Sequence, residues 1–168
     1  PADIDESPRD NEPPMELVAR LASEKAQAVK AYLEDLQAMT DDKVILASDT
    51  LISFNGQSVG KPEDKADSKR ILTMLSGKTH DVLTAICLLD NAQQQTQVIT
   101  TSVTFAALTD EQINAYWETG EPADKAGSYA IQGIGGEFVV SINGSASAVI
   151  GLPLYETRQL LNAFGVVS

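Results

Sequence analysis

The chain has 168 residues, enough for one domain that buries a core without disulfides, and its single cysteine, Cys87, lies in an apolar run where a buried structural thiol is expected. A net charge of −12 argues against nucleic acid as a partner, because the phosphate backbone would be repelled. The sequence has no apolar run of roughly eighteen residues and no secretory signal pattern, so we expect a cytoplasmic protein without a membrane partner.

The first element is predicted to be a long helix over residues 15–39, preceded by a polar, proline-rich segment. Lys25 falls on the apolar stripe of this helix. Two interpretations stay open: its methylenes cover the core while the amine reaches water, or its charge points into a site. The residues that form the stripe are Val18, Leu21, Ala22, Val29, Leu33 and Leu36.

An acid interrupts the most apolar run of the chain. Residues 44–47 and 51–52 are typical of a buried strand, yet Asp49 lies between them. An unpartnered buried carboxylate is costly, so Asp49 is expected to cap a turn, pair with a cation or hold a metal.

Asn55-Gly56 predicts a two-residue hairpin directly after this strand. Its register would place Thr50 opposite Lys61, while strand alternation turns Asp49 to the other face. A bulge at Gly60 would redirect Lys61.

The remaining pattern predicts an α/β fold with a mixed sheet flanked by helices. Residues 120–145 are rich in glycine and carry Lys125 and Gln132, which favours a loop that approaches a ligand over a tight connection. His80 begins a strand, where a structural histidine is more expected than a substrate contact. Helices are predicted over residues 62–75, 109–120 and 154–164, and strands over 79–89, 95–105, 137–142 and 146–150.

The segments ASDT, GKP, LSGKTHDVLTAI, TGEP, DKAGSYAIQG and VIGLPLYET, in this order, resemble the Maf family of nucleoside triphosphate pyrophosphatases. The resemblance implies a twisted mixed sheet flanked by helices, a fold shared with inosine triphosphate pyrophosphatases. It also implies hydrolysis between the α and β phosphates, which yields a monophosphate and pyrophosphate, with a divalent metal cation (Mg or Mn) as cofactor.

The resemblance assigns roles to four charged residues. Asp49 matches the family's proton acceptor for the attacking water, and it could equally hold the metal that activates this water. Lys61 and Lys25 match site lysines that bind the polyphosphate. Glu6 matches an acidic site position and is a second candidate metal ligand.

Thr50 and Gln132 match positions that select the base. A glutamine amide offers one donor and one acceptor, which suits the O4 and N3–H edge of uracil or thymine, whereas guanine prefers a carboxylate. We therefore expect dTTP and UTP as substrates, with modified UTP and CTP as further candidates. The alternative within the enzyme class is 7-methyl-GTP.

The sequence also departs from the family pattern. Relatives begin with a strand and a Ser-Pro-Arg-Arg phosphate loop, and Ser7-Pro8-Arg9 follows the DIDE segment instead of preceding it. Residues 1–168 are thus expected to form a single Maf-like domain that lacks its first strand and phosphate loop, a piece of about thirty residues. Ile134 replaces a frequent basic residue, and Ala146-Ser147 a frequently aromatic segment.

Two expectations concern function beyond catalysis. If the phosphate loop is absent from the mature protein, the competing hypothesis is a nucleotide-binding regulator of septum formation without turnover. The sequence does not determine the oligomeric state, and a homodimer is the default because symmetric dimers are the commonest oligomers.

Overall fold

A computed structural model describes residues 4–166 as a five-stranded antiparallel sheet with helices on both faces. None of the helices formed by these residues is long and apolar enough to cross a membrane. The elements are α1 (Pro14–Asp35), β1 (Ile45–Phe54), β2 (Gln57–Val59), α2 (Lys65–Leu75), β3 (Thr79–Leu89), β4 (Gln94–Phe105), α3 (Asp110–Glu118), β5 (Val139–Asn143), α4 (Ala146–Ile150) and α5 (Leu154–Ala163). Short 3₁₀ helices at Glu121–Asp124, Ala126–Ser128 and Ile134–Phe138 lie between α3 and β5.

The predicted α/β class is confirmed, with the strand order β2-β1-β3-β4-β5. The sheet is not mixed as expected, because every strand pair formed by residues 4–166 is antiparallel. β2 and β3 are both antiparallel to β1, so they run in the same direction on either side of it, and α2 connects them. The Asn55-Gly56 hairpin has the predicted register, with Ile52 opposite Val59.

The two faces of the sheet have separate cores. Helix α1 covers one face and buries Leu17, Val18, Leu21 and Ala22 against β1 and β3. It ends before the predicted boundary, and Leu36 is exposed. The opposite face is covered by α2, α3, α4 and α5. Side chains on the two faces of β1 therefore contact different helices.

The predicted strand over residues 146–150 is wrong, because this segment forms α4. The Ser145 side chain accepts a hydrogen bond from the Ala148 N–H and caps the helix. Hydroxyls of the sheet then hold its last turn: Thr84 donates to the Ala148 carbonyl and Ser48 to the Gly151 carbonyl, each at 2.7 Å. The cap and these tertiary contacts outweigh the strand preference of the short Val149-Ile150 pair.

Gly127 fastens the loop after α3 to the end of the hairpin. Its N–H donates to the Gly60 carbonyl at 2.9 Å, and its φ of +68° lies in the left-handed region. A Cβ at this position would lie 2.2 Å from Cδ1 of Ile52. Only glycine satisfies both the backbone conformation and the close approach to β1.

We expect Gly127→Ala to lower the free energy of unfolding by about 2–4 kcal/mol, since it adds a steric overlap to the left-handed backbone. Gly120→Ala is the matched control, because Gly120 has a φ of +77° and no atom within 4 Å of an added Cβ. This control should lose only about 1 kcal/mol. Urea unfolding measures both values, and equal losses would contradict the steric argument.

Candidate active site

β1 places two neighbouring polar side chains on opposite faces of the sheet. Asp49 pairs with Ala85 of β3, and Thr50 pairs with Thr84. Because alternate residues of a strand face opposite sides, Asp49 faces α1 and Thr50 faces α4. The predicted division of the two side chains is confirmed.

Lys25 of α1 supplies the cation for the Asp49 carboxylate. Its Nζ lies 2.5 Å from Oδ1 of Asp49 and 2.7 Å from Oε1 of Glu6. The Asp49 side chain is 11% exposed and that of Lys25 is 23% exposed, so much of this ion pair is removed from water. Lys25 is therefore a charge directed at another charged group and not an amine that reaches past the core into water.

The pKa values of the three groups follow from burial and from their mutual contacts. Burial raises the pKa of Asp49, and the hydrogen bond and charge of Lys25 offset only part of this shift. Burial lowers the pKa of Lys25, but hydrogen bonds to Asp49 and Glu6 outweigh it, so the net shift is upward. The hydrogen bond from Lys25 lowers the pKa of Glu6. Asp49 is thus a more basic carboxylate than a solvated aspartate.

Arg20 of α1 holds the segment that carries Glu6. Its guanidinium donates to both oxygens of Glu12, at 2.7 and 2.8 Å, to the Ser7 carbonyl at 2.9 Å and to Glu24 at 3.0 Å. These bonds fix the segment against α1 at several points. Glu6 is placed beside Lys25 while its side chain stays 57% exposed.

Two adjoining cavities meet at the edge of β1 and form one cleft. The first, which we call the acidic lobe, has a volume of about 300 Å³ and is lined by Glu6 and Asp49 among others. The second, the apolar lobe, has a volume of about 280 Å³. Thr50, Lys61 and Ala126 line both cavities and mark their junction.

The apolar lobe is bounded by strand, loop and α4 side chains. Gln132 is its exposed amide, and within residues 4–166 this amide has no hydrogen-bond partner. The amide is therefore free to bind a ligand with both its donor and its acceptor. The apolar residues that line this lobe include Ile52, Val82, Ile131, Val149 and Ile150.

Lys61 lies at the junction of the two lobes, but not by the predicted strand pairing. The ladder between β1 and β2 ends where Ile52 meets Val59, so Thr50 and Lys61 are not backbone partners. Beyond that point the chain turns away after Gly60 and brings Lys61 to the cleft. Lys61 is exposed and forms no salt bridge with any residue that the structure describes, so its charge is available to an anion.

A half-buried carboxylate, that of Glu121, holds the loop that carries Gln132. Glu121 accepts hydrogen bonds from the N–H groups of Ile134 and Gly135, at 3.0 and 2.9 Å, and from the Tyr116 hydroxyl. Glu121 thus binds the end of the short turn that follows Gln132, and the Tyr116 hydroxyl accepts a hydrogen bond from the Ala130 N–H at its other end, at 3.1 Å. Glu121 is therefore a positioning residue for this loop.

Sequence reasoning missed Glu121 and the buried pair Ser68 and Ser128. The Glu121 signal was present, since an acid next to a glycine-rich run can satisfy several free N–H groups. The hydroxyls of Ser68 and Ser128 lie 2.5 Å apart and are fully buried, which ties α2 to the same loop. Nothing local in the sequence marks this second contact.

His80 is structural, as expected. It is buried, its Nε2 lies 2.8 Å from the Tyr129 hydroxyl, and it packs edge-on against Phe105. Burial lowers the pKa of His80 to about 4, so the ring is neutral near pH 7. The imidazole is not among the groups that line the cleft.

Two carboxylates of the acidic lobe are of the type that binds divalent cations. The described residues form no cluster of three or more histidine, cysteine or acidic side chains that could hold a metal ion by itself. The carboxylates of Glu6 and Asp49 do lie close together, because both form ion pairs with the amine of Lys25. Mg²⁺ commonly uses one or two carboxylates together with substrate phosphates, and this pair meets that requirement.

The chain is similar to known proteins over nearly its whole length. The sequence model of the family described as "Maf-like protein" matches residues 1–164. A protein named dTTP/UTP pyrophosphatase from Colwellia psychrerythraea is 52% identical over 166 residues, which are 99% of this chain and 77% of the relative. Relatives of the same name from Shewanella oneidensis and Pseudoalteromonas atlantica are 48% and 50% identical, covering 98% and 96% of this chain and 83% and 82% of their own length.

We expect Lys25→Met to raise the pKa of Asp49 further, because the substitution removes the hydrogen bond and the charge that lower it. Glu6→Gln is the opposing control, since the Glu6 charge raises the pKa of Asp49 and its loss should lower that value. Carbon-detected NMR of the Asp49 carboxyl group, followed as a function of pH, measures this pKa in both variants. A shift in the same direction for the two variants would contradict the assigned contacts.

The amides of Ile134 and Gly135 should lose about tenfold or more of their hydrogen-exchange protection in Glu121→Ala, because they lose their acceptor. Glu121→Gln keeps one acceptor oxygen and should retain part of the protection. The exchange of amides in β3 reports global stability and serves as the internal control. Unchanged protection at both loop amides would refute the positioning role.

Proposed function

The chain belongs to the Maf-like protein family, and we propose that it is a nucleoside triphosphate pyrophosphatase that hydrolyses dTTP and UTP to the monophosphate and pyrophosphate. Relatives that carry the name dTTP/UTP pyrophosphatase are similar over nearly the whole chain. The observation that carries the proposal is the ion pair of Asp49 and Lys25, which borders the two-lobed cleft.

Asp49 is the proposed proton acceptor for the attacking water. Burial raises its pKa and so strengthens it as a base, while the hydrogen bond and the charge of Lys25 stabilise the carboxylate form. Lys25 also fixes the orientation of the carboxylate, since its Nζ donates a hydrogen bond to Oδ1. The second oxygen, Oδ2, is left to hold the water.

Lys61 is the proposed contact for the polyphosphate. It is an unpaired cation at the junction of the lobes, where the phosphates of a nucleotide would pass if the base occupied the apolar lobe. A fixed positive charge there binds the triphosphate and stabilises the negative charge that develops on it during hydrolysis. Thr50 and Gln132 are the proposed base-selecting residues, and both line the apolar lobe.

Asp49 and Glu6 are the residues that would hold a divalent cation, Mg²⁺ or Mn²⁺, together with the phosphates. When bound, the metal supplies a Lewis acid that neutralises phosphate charge. Lys25 holds the two carboxylates near one another and limits their mutual repulsion before substrate enters.

Pyrophosphate release tests this proposal with dTTP, UTP, CTP, GTP and 7-methyl-GTP as substrates and magnesium or manganese as the cation. We expect turnover of dTTP and UTP above the purine nucleotides. Asp49→Asn should lower kcat by about a hundredfold to ten-thousandfold, because the amide cannot accept the proton. Asp110→Asn, an exposed substitution at the start of α3, is the control and should stay within about twofold.

Two outcomes would overturn parts of the proposal. Faster turnover of 7-methyl-GTP than of dTTP and UTP would overturn the proposed substrate assignment. Binding of dTTP without pyrophosphate release, seen as a raised melting temperature, would overturn the enzymatic activity and favour a nucleotide-binding regulator.

A further inference from the structure

A buried threonine on β3 controls the hydrogen-bonding capacity of Thr50. The Oγ1 atoms of Thr50 and Thr84 lie 2.9 Å apart, and Thr84 Oγ1 lies 2.7 Å from the Ala148 carbonyl oxygen. Thr84 is fully buried, whereas Thr50 is half-buried and lines the apolar lobe. The three groups form a chain that runs from the cleft into the protein.

The direction of this chain follows from counting protons. A hydroxyl has one proton, and the Thr84 proton is the only one that can lie between Thr84 and the Ala148 carbonyl. If Thr84 donated to Thr50 instead, two oxygens would face each other at 2.7 Å without a proton between them. The contact between the two threonines therefore has Thr50 as the donor.

Thr50 then presents only lone pairs to the cleft. Its proton points inward to Thr84, and within residues 4–166 its hydroxyl has no other hydrogen-bond partner. A ligand atom that contacts Thr50 must therefore be a donor. Gln132 carries no such restriction, because its amide has both a donor and an acceptor available.

We propose that Thr84 is a positioning residue that holds Thr50 as an obligatory acceptor, and that this acceptor selects the N3–H group of uracil and thymine. In a nucleotide, N3–H is the single donor on these rings, whereas cytosine has a lone pair at N3. Cytosine would place two acceptors against each other, which costs affinity. The inference rests on the proposed function, since it concerns how the same cleft distinguishes pyrimidines.

Thr84→Val removes the hydroxyl with little change in shape and frees the Thr50 proton to turn toward the cleft. The Ala148 carbonyl keeps the N–H of Gly151 as a partner at 2.9 Å, so the substitution leaves no orphaned acceptor. Thr84→Ser keeps a hydroxyl in place and is the matched control.

The experiment measures the dissociation constants of the non-hydrolysable α,β-methylene analogues of UTP and CTP for the three proteins, alongside kcat/KM for UTP and CTP. We expect the preference for uridine over cytidine to fall about tenfold in Thr84→Val and to stay within about twofold of the wild type in Thr84→Ser. If Thr84 had only a structural role, Thr84→Val would weaken the binding of both analogues equally and leave the ratio of their dissociation constants unchanged.

Binding of the analogues does not depend on hydrolysis, so the two proposals can fail separately. Binding with a uridine preference but no pyrophosphate release from UTP would overturn the proposed activity and not the selection mechanism. Absence of a uridine preference in the wild type, or an unchanged ratio in Thr84→Val, would overturn the mechanism.

A chemical variant of the ligand gives a test that needs no substitution in the protein. The α,β-methylene analogue of 3-methyl-UTP lacks the N3–H donor and should bind the wild type at least about tenfold more weakly than its parent. The 3′-deoxy analogue keeps N3–H and should bind within about threefold of its parent. Equal binding of the 3-methyl analogue, or a large loss with the 3′-deoxy one, would assign the Thr50 contact to the sugar and overturn the proposal.

Discussion

The ion pair of Lys25 and Asp49 is the constraint on which the site depends. A carboxylate inside a sheet between two apolar runs needs a fixed cation, and the nearest element able to supply one is the helix packed on that face. The apolar stripe of α1 docks on β1 and β3, and this docking places Lys25 over Asp49. The packing of α1 on this face of the sheet therefore also fixes the position of the Asp49 carboxylate.

β1 connects the two lobes of the cleft because its side chains alternate. Asp49 lines the acidic lobe, and Thr50, the next residue along the strand, lines both lobes. The loop after α3 completes the cleft only because glycine permits Gly127 to approach Ile52 and to donate to Gly60. Any displacement of β1 would thus move the proposed base and the proposed selecting residue together.

Local signals allowed much of this arrangement to be predicted from the sequence. The Asn55-Gly56 turn sets the hairpin register, the capping box starts α3 at Thr109, and the helical period puts Lys25 on the inner face of α1. The partner of Lys25 could not be derived from the residues alone, because it depends on how α1 sits on the sheet.

The features that could not be predicted depend on contacts distant in sequence. The segment that forms α4 is too short for its period to distinguish strand from helix, and hydroxyls of β1 and β3 decide the outcome. Glu121 binds the Gln132 loop across a turn whose shape no local pattern specifies. The charge balance of the cleft has a similar origin: Lys25 is shared by two carboxylates, whereas Lys61 forms no salt bridge with any described residue. The net charge of −12 also opposes the binding of a polyanion. We therefore expect contacts in the apolar lobe, including those of the proposed base-selecting residues Thr50 and Gln132, to contribute to the choice of substrate.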